Sequence, residues 1–425
     1  MRAVGTNIIS QSDHGSNYRT QTNCRICKSG ELIEYINLGE HPLANAFIRP
    51  SAIDKPEPRY PLRVLFCNLC GLSQLAEIVK PDILYRDYIY FSSAMPYGAH
   101  FEKYAEDVVS DYIRSKRDMV VEIGSNDGYL LSEIKNRDTR ALGIDPAQNI
   151  AAEANRRGIE TVPDFFSDRL ARRIVRDRGP ARVILANNVL DRIDDLHDFA
   201  AGINTLLVSD GVFIFEAGHI MDMFETGVLG TIHHERLSHL SLLPLIHLLR
   251  EHGMEVFDVK IMPVRGHAMR CYVGKKNIWP VKPNVKRMLE AEMDVPLDKA
   301  SSYRDLAGRI QILGEEVTTL IRTLKKSGKR IACYGASAKG NTLLNYLGLG
   351  PDILDYATEE LSSKIGLVTP GMHIPIVDIA WARENPPDYY LLLAWNYENI
   401  ILKKEKEFRK QGGKFIVPVG EERIV

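Results

Sequence analysis

The chain has 425 residues, and its 54 Lys and Arg against 55 Asp and Glu give a formal net charge of -1. Its 45% hydrophobic and 26% charged fractions are typical of a globular protein, and the length predicts two to four domains. The even charge balance argues against nucleic acid or a membrane surface as the partner, because neither would find a positive field to bind. Neither a membrane-length apolar run nor an apolar signal segment occurs, so we expect a cytoplasmic protein.

Four of the six cysteines form two Cys-x-x-Cys pairs, Cys24 with Cys27 and Cys67 with Cys70. Each pair places two sulfurs on a tight turn, so the four thiolates can converge tetrahedrally on one Zn²⁺. With sulfur in all four positions no place is left for water, which predicts a structural metal. Disulfides are the alternative, which a reducing cytoplasm disfavours, and a catalytic thiol pair would need only one such motif.

Changes in composition and sequence pattern divide the chain into three parts. Short segments rich in turn residues follow a polar tail and predict a small metal-stapled module. A helix at His100–Ser115 then leads into alternating strands and helices, the βαβ rhythm of a parallel, doubly wound sheet. The strands of this sheet are predicted at Met119–Ile123, Ala141–Asp145, Val183–Ala186 and Val212–Glu216.

A second Rossmann-like unit follows a Pro-containing linker near Lys275–Asn284 and a charged helical region at Val285–Lys326. The predicted fold class is therefore α/β, with a zinc-binding module over residues 1–85, a Rossmann-like domain over 86–280 and a second Rossmann-like domain over 281–425. The strands of the last domain are predicted at Arg330–Tyr334, Ile353–Tyr356, Tyr389–Ala394 and Lys414–Val417.

The turn after the first central strand combines glycines with acidic residues, from Glu122 to Gly128. Glycines at a strand-to-helix turn let a ligand approach the backbone, with the helix N-terminus pointing at it. The spacing is not that of dinucleotide binders, and the acidic side chains would repel a pyrophosphate but suit a cationic ligand with an amino-acid tail. The next strand ends at Asp145, where a carboxylate can take both ribose hydroxyls.

This combination is the pattern of S-adenosylmethionine (SAM) methyltransferases. A phenylalanine near residue 165 would flank the adenine, and two asparagines end the fourth strand, where the methyl group would emerge. The predicted cofactor-binding residues are Glu122, Gly124, Asn126, Asp127, Asp145, Phe165, Asn187 and Asn188.

Three segments in this order resemble the three-part sugar C-methyltransferases that act on nucleotide-linked 4-keto deoxysugars. They are the cysteine module with Asn37-Leu-Gly-Glu-His-Pro-Leu between its pairs, the glycine turn, and Tyr334-Gly-Ala-Ser-Ala-Lys-Gly-Asn followed by Pro370-Gly-Met-His-Ile-Pro-Ile. The resemblance covers the chain from about residue 24 onwards. It implies a sugar nucleotide in a cleft between the middle and last domains, a zinc module that helps to close this cleft, and an enolate that attacks the methyl group of SAM.

The catalytic positions of that family are substituted here. Relatives have a Tyr-His-Glu-His block where this chain has His233-His234-Glu235-Arg236, and a His where it has Arg192. Arginine cannot act as a base near neutral pH, whereas imidazole titrates close to it. We therefore predict His233 or His234 as the general base, Glu235 as the residue that orients it, and the two arginines as holders of anionic groups.

The resemblance places further residues near the substrate: a tyrosine-bearing lid, a substituted segment before the last central strand, and the loop that opens the C-terminal unit. The predicted substrate-binding residues are Tyr88, Tyr90, His267, Arg270, Ser337, Lys339, Asn341 and Lys364, and the same segments contain Tyr97 and Arg265.

The predicted function is SAM-dependent C-methylation of a nucleotide-linked sugar in antibiotic or surface-polysaccharide biosynthesis, by a chain that acts as a monomer. Two alternatives are O-methylation of a sugar or related small molecule, and a SAM-binding paralogue without methyl transfer.

Overall fold

The computed structural model of the protein describes residues 17–425 except 86–87, 89, 95–97, 228, 230, 264–266 and 420–422. Tyr97 and Arg265 lie outside the described residues, and so does the side chain of His267. No helix in the described part of the chain is long and apolar enough to cross a bilayer.

The N-terminal module is built on antiparallel strands. Its central hairpin ends at Cys67, so the second cysteine pair sits on the turn that follows a buried strand. The elements are β1 (Tyr18–Thr20), β2 (Leu32–Pro42), β3 (Arg59–Cys67), β4 (Ser73–Leu75), β5 (Glu77–Val79) and α1 (Pro81–Tyr85).

The middle domain is a seven-stranded sheet with helices on both faces. Its elements are α2 (Gly98–Tyr112), β6 (Met119–Ile123), α3 (Tyr129–Lys135), β7 (Arg140–Ile144), α4 (Gln148–Arg156), β8 (Thr161–Val162), α5 (Asp168–Arg178), β9 (Ala181–Asn187), α6 (Leu196–Leu206), β10 (Leu207–Gly218), α7 (Met221–Thr226), β11 (Ser238–His239), α8 (Leu242–Glu251), β12 (Met254–Pro263) and β13 (His267–Lys275). The strand order is β12-β13-β10-β9-β6-β7-β8. Strands β6 to β10 are parallel, and β13 runs antiparallel to β10.

The strand order reverses between β6 and β9, and ligands of open α/β sheets bind at such a point, beyond the carboxyl ends of the strands. Strand β11 lies outside this sheet and pairs with β4 of the N-terminal module, with Ser238 opposite Gln74. The middle domain thus adds an edge strand to the sheet of the N-terminal module.

The C-terminal domain begins with two helices that precede a five-stranded parallel sheet of order β16-β15-β14-β17-β18. Its elements are α9 (Pro283–Asp294), α10 (Ala300–Lys326), β14 (Ile331–Tyr334), α11 (Ala338–Leu347), β15 (Ala357–Glu359), β16 (Ile376–Asp378), α12 (Ile379–Glu384), β17 (Tyr389–Leu392), α13 (Glu398–Lys404), α14 (Lys406–Lys410) and β18 (Lys414–Ile416).

One predicted strand of this domain is misplaced. The strand expected at Ile353–Tyr356 lies instead at Ala357–Glu359. Its apolar start is a turn, in which the amide of Leu354 donates to the carbonyl of Gly350, and the apolar side chains are buried there without sheet pairing. Burial alone had produced the strand-like pattern.

The first and last domains share one hydrophobic core. Tyr303 of α10 is fully buried and packs against Phe66 of β3 with ring centroids 4.4 Å apart. Ile48 pairs with Val368 as an isolated β-bridge. The N-terminal module is therefore packed against both other domains, and residues from all three meet at the site described below.

Candidate active site

The four cysteines lie where the sequence places a metal. Their sulfurs are all within 4.8 Å of one another, with Cys24 to Cys70 at 3.5 Å and Cys27 to Cys67 at 3.4 Å. Tetrahedral thiolates about 2.3 Å from a zinc ion would be separated by roughly 3.8 Å, so the set fits Zn²⁺. The two pairs lie on separate turns of the same kind. In each turn, the carbonyl of the first cysteine accepts a hydrogen bond from the amide four residues later.

The glycine turn after β6 is held in a conformation that needs glycine. Gly124 has φ +67°, and a Cβ atom there would lie 2.4 Å from Cγ2 of Val189. The backbone amide of Asn126 donates to Asp145 Oδ2 at 2.9 Å, and the amide of Ala147 donates to Oδ1 at 3.0 Å. Asp145 thereby ties the turn to the end of β7, which is where a ribose-binding carboxylate is expected.

Buried polar atoms without partners line this turn. Asn187 Nδ2 donates to Glu122 Oε1 at 3.3 Å, while Glu122 Oε2, Asn187 Oδ1 and Asp127 Oδ1 have no hydrogen-bond partner among the described residues. Burial raises the pKa of Glu122 to about 8. Buried acceptors are normally satisfied, so three orphan oxygens beside one turn fit a donor-rich cationic group such as the ammonium of a methionine moiety.

The segment that contains Tyr88 and Tyr90, predicted above to form a lid, contacts the glycine turn after β6. The amide of Ser92 donates to Asn126 Oδ1 at 2.8 Å, and Asn126 Nδ2 donates to the carbonyl of Tyr90 at 3.0 Å. Tyr88 exchanges backbone hydrogen bonds with the side chain of Asn149 on α4. Asn126 therefore joins the lid to the cofactor loop.

Phe165 is partly buried beyond β8, and its ring packs against no other aromatic ring among the described residues. The neighbouring Phe166 instead packs edge-on against Phe199 of α6, with centroids 5.4 Å apart. Asn188 has φ +56°, and its amide donates to the carbonyl of Glu216 at 2.7 Å. The predicted adenine and methyl-side positions thus flank the carboxyl end of the sheet.

His233 is buried where residues of the middle and C-terminal domains come together. Its side chain is near Arg236, Arg192 and Lys339, and burial together with these cations holds its pKa well below the usual 6.5. Its Nδ1 atom has no hydrogen-bond partner in the described part of the structure. The ring is therefore uncharged at neutral pH, and its Nδ1 atom is a buried nitrogen available to a ligand.

His234 faces the zinc module instead. Its Nε2 lies 3.2 Å from the carbonyl of Pro61, and its ring meets Tyr60 edge-on at 5.8 Å. Burial lowers its pKa to about 4. These contacts give His234 a role in joining two domains.

Glu235 is the meeting point of three segments. It accepts from Asn45 Nδ2 of the zinc module at 2.5 Å, from Tyr88 Oη of the lid at 3.3 Å and from Arg192 Nη1. The predicted orienting partner of a histidine is thus bonded to an asparagine, a tyrosine and an arginine. The sequence had not singled out Asn45, although it lies within the segment that carried the resemblance.

Both substituted arginines are already paired with carboxylates. Arg192 bonds to Glu235, and Arg236 Nη1 lies 2.7 Å from Asp191 Oδ2. Arg192 Nε also donates to the carbonyl of Asn188 at 3.1 Å. The charges that were predicted to hold substrate anions are balanced within the protein.

Arg270 lies in a buried cluster on the face of the sheet that also carries Glu122. Its guanidinium bonds to Glu216 on the adjacent strand at 2.5 Å and lies 3.7 Å from the ring centroid of Tyr104. Glu216 also contacts His100 Nε2 at 3.2 Å. This histidine could not be predicted from the sequence, because it lies in an amphipathic helix that precedes β6 and carries no motif.

In the C-terminal domain, several predicted residues have structural bonds. Ser337 Oγ caps α11 by accepting from the amide of Gly340 at 3.0 Å, and it donates to the carbonyl of Leu393 at 2.8 Å. Asn341 Nδ2 donates to the carbonyl of Ala44 at 2.8 Å.

Lys364 bonds to the carbonyl of Ala336 at 2.9 Å and to Glu359 at 3.0 Å, and lies over the ring of Phe47. Together with the Asn341 bond, these contacts dock the zinc module onto the loop after β14.

Comparison with protein families agrees with this three-part architecture. Residues 24–85 match a zinc binding domain, residues 97–259 a methyltransferase domain, and residues 263–420 a C-methyltransferase C-terminal domain. These matches occur in the order in which the zinc cluster, the glycine turn and the second sheet follow one another.

The chain is 34% identical over 404 residues to the C-methyltransferase NovU of Streptomyces niveus, covering 95% of this chain and 96% of that protein. The CcbJ methyltransferase of Streptomyces caelestis aligns over 45% of this chain and 96% of its own, with 11% identity and a TM-score of 0.36. A SAM-dependent methyltransferase from Clostridium acetobutylicum covers 43% of this chain and 93% of its own, with 12% identity and a TM-score of 0.34.

The protein belongs to the family of C-methyltransferases composed of a zinc-binding domain, a methyltransferase domain and a C-methyltransferase C-terminal domain. It is a SAM-dependent methyltransferase that also binds zinc, and the predicted family, fold class and cofactors are confirmed. The domain boundaries and the individual site residues stay predictions.

Proposed function

We propose that the protein methylates a carbon atom of a nucleotide-linked keto sugar through an enolate generated by His233. The observation that carries this proposal is the buried imidazole between the two Rossmann-like domains, whose Nδ1 lacks a partner among the described residues and which lies near Lys339 of the C-terminal domain. A neutral imidazole can accept a proton, and fixed positive charges favour the anion that forms on the substrate.

SAM supplies an electrophilic methyl group when it is bound. Glu122, Asn187 and Asp127 would hold its ammonium group, Asp145 its ribose and Phe165 its adenine, while Gly124, Asn126 and Asn188 shape the backbone around it. These assignments rest on the orphan acceptors of the glycine turn and on the position of Asp145 at the end of β7.

The chain's own residues prepare the substrate. His233 Nδ1 takes the proton from the carbon next to the ketone, and Lys339, the cation near it from the C-terminal domain, stabilises the enolate. Tyr88 and Tyr90 close the cleft from the lid side, and the Tyr88 hydroxyl is fixed by Glu235. Exclusion of water strengthens each of these interactions.

The sugar nucleotide would lie against the loop that opens α11. Lys339 is the cation of this loop nearest to His233, and together with the loop's backbone it would face the pyrophosphate. Ser337, Asn341 and Lys364 would shape the same surface, and His267 and Arg270, both on β13, are the proposed contacts from the middle domain.

The test is hydrogen exchange without methyl transfer. A panel of nucleotide-linked 4-keto deoxysugars is incubated in D₂O with the protein and S-adenosylhomocysteine, and deuterium at the ring carbon is followed by NMR. We expect exchange with the native protein and a loss of about 10²–10⁴-fold in His233→Gln. His247→Gln, a half-exposed histidine of α8, is the matched control.

Full exchange in His233→Gln would show that another group is the base. If no exchange occurs at carbon with S-adenosylhomocysteine, but a parallel incubation with SAM gives methylated product, O-methylation would be favoured.

A further inference from the structure

Two short segments beside His233 are joined by two ion pairs in a crosswise arrangement. One segment is the single 3₁₀ turn at Leu190–Arg192 after β9, and the other runs from His233 to Arg236. Asp191 pairs with Arg236, and its neighbour Arg192 pairs with Glu235. Because each segment contributes one acid and one arginine, the pairing fixes both their separation and their register.

The Asp191–Arg236 pair is the more buried of the two. Asp191 is 1% exposed, and its Oδ2 lies 2.7 Å from Arg236 Nη1. The arginine lies so close to the end of β10 that a Cβ atom on Gly218 would be 2.9 Å from the same nitrogen. Removing one partner of such a pair leaves an uncompensated buried charge, so both segments depend on it.

The same arginine also closes the turn that carries the imidazole. The backbone amide of Arg236 donates to the carbonyl of His233 at 2.9 Å. On the other segment, Arg192 Nε donates to the carbonyl of Asn188, at the end of the strand where the methyl group is delivered. The crosswise pairs thus connect the methyl side of the site to the imidazole.

We infer that Asp191 is a positioning residue, which acts through Arg236 to hold the His233 ring within reach of the substrate carbon. This inference rests on the proposed role of His233. It assigns Arg236 to Asp191 as its counter-ion, whereas the sequence had predicted that this arginine holds an anionic group of the substrate.

The two roles for Arg236 predict different kinetics. A positioning pair affects the chemical step, so Asp191→Asn and Arg236→Gln would each lower kcat by about 10²-fold and leave the KM for the sugar nucleotide unchanged. A substrate-binding arginine would raise KM in Arg236→Gln, with no matching effect of Asp191→Asn.

Double variants make the test specific. If the two residues form one unit, Asp191→Asn/Arg236→Gln would be as slow as either single variant, because the same interaction is removed. If Asp191 acts through His233, adding Asp191→Asn to His233→Gln would cause no further loss. Asp210→Asn, which removes a carboxylate of a half-exposed ion pair on the same domain, is the matched control.

The measurements are methyl-transfer kinetics with the responsive sugar nucleotide of the panel, and calorimetric titration with S-adenosylhomocysteine to show that the cofactor site is intact. If Asp191→Asn does not fold, the same cycle is run with Asp191→Glu and Arg236→Lys, which keep both charges and would restore part of kcat. Multiplicative losses in the His233→Gln background, or a KM effect confined to Arg236, would overturn the inference. Unchanged turnover in His233→Gln alone would instead overturn the proposed function.

Discussion

The two Rossmann-like domains each have a strand, a glycine turn and a helix, but they use the polar atoms of the turn differently. In the middle domain, Glu122 Oε2 and Asn187 Oδ1 are buried and have no partner among the described residues. In the C-terminal domain, the hydroxyl of Ser337 and the amide nitrogen of Asn341 are bonded to the helix start and to the zinc module. The first turn therefore leaves several acceptors open to a ligand, whereas the second leaves Asn341 Oδ1 open and uses its other polar atoms for a helix cap and for domain docking.

The glycines of the two turns provide the strongest test of this contrast. Gly124→Ala would place Cβ 2.4 Å from Val189, whereas Gly335→Ala would place it 3.3 Å from the Cβ of Ala394. Both positions have positive φ, which costs an alanine about 1–2 kcal/mol. We expect Gly124→Ala to lose SAM binding by about 10²-fold or more, because the cofactor loop must move.

Gly335→Ala is the matched variant, expected to lower the free energy of unfolding by about 1–2 kcal/mol while SAM affinity is kept. Calorimetric titration and urea unfolding measure the two effects. Equal losses of SAM affinity in both variants would show that the turns are not functionally distinct.

The next largest effect is expected for the Glu122 carboxyl, whose protonation makes both stability and SAM binding depend on pH. Its pKa is raised from 4.5 to about 8, so between these values the folded protein keeps a proton that the unfolded chain has released. The free energy of unfolding of the cofactor-free protein should therefore fall as pH rises through this range. A bound ammonium group would favour the carboxylate, so SAM binding should release a proton and tighten between about pH 6 and pH 8.

Calorimetry in buffers of different ionisation enthalpy measures that proton release. In Glu122→Gln both the release and this part of the pH dependence should disappear, and affinity should fall about tenfold. Glu359→Gln, at the end of β15 in the C-terminal domain, is the control that should keep them. Proton release that persists in Glu122→Gln would assign the raised pKa to another group.

The sequence was sufficient for the features that depend on local chemistry. The paired cysteines, the acidic glycine turn and Asp145 could be predicted because spacing along the chain determines their geometry. The partners of Glu235 could not, since Asn45 and Arg192 reach it across large separations in the chain. The substituted arginines were recognised, but the carboxylates that neutralise them are visible only after folding.

The hydrogen bond from Asn341 to Ala44 tests whether the second turn stabilises the domain contact without affecting SAM binding. Asn341→Ala would leave the carbonyl of Ala44 without its donor at a buried contact between domains, at a cost of about 1–3 kcal/mol. We expect a lower midpoint of urea unfolding with SAM affinity unchanged. A loss of SAM affinity with normal stability would mean that this turn communicates with the cofactor site.

The smallest effect is expected at the cap of α11. Ser337→Ala removes the acceptor for the amide of Gly340, and loss of such a cap costs about 1 kcal/mol. Ser337→Thr keeps a capping hydroxyl and should retain most of the stability. The serine also donates to the carbonyl of Leu393, the residue after β17, so a cost above that of a cap alone would measure this second bond. A fall in turnover with the sugar nucleotide that is far larger than the loss of stability in Ser337→Ala explains would show that the hydroxyl also contacts the substrate. The two turns would then differ only in that the first binds SAM and the second does not.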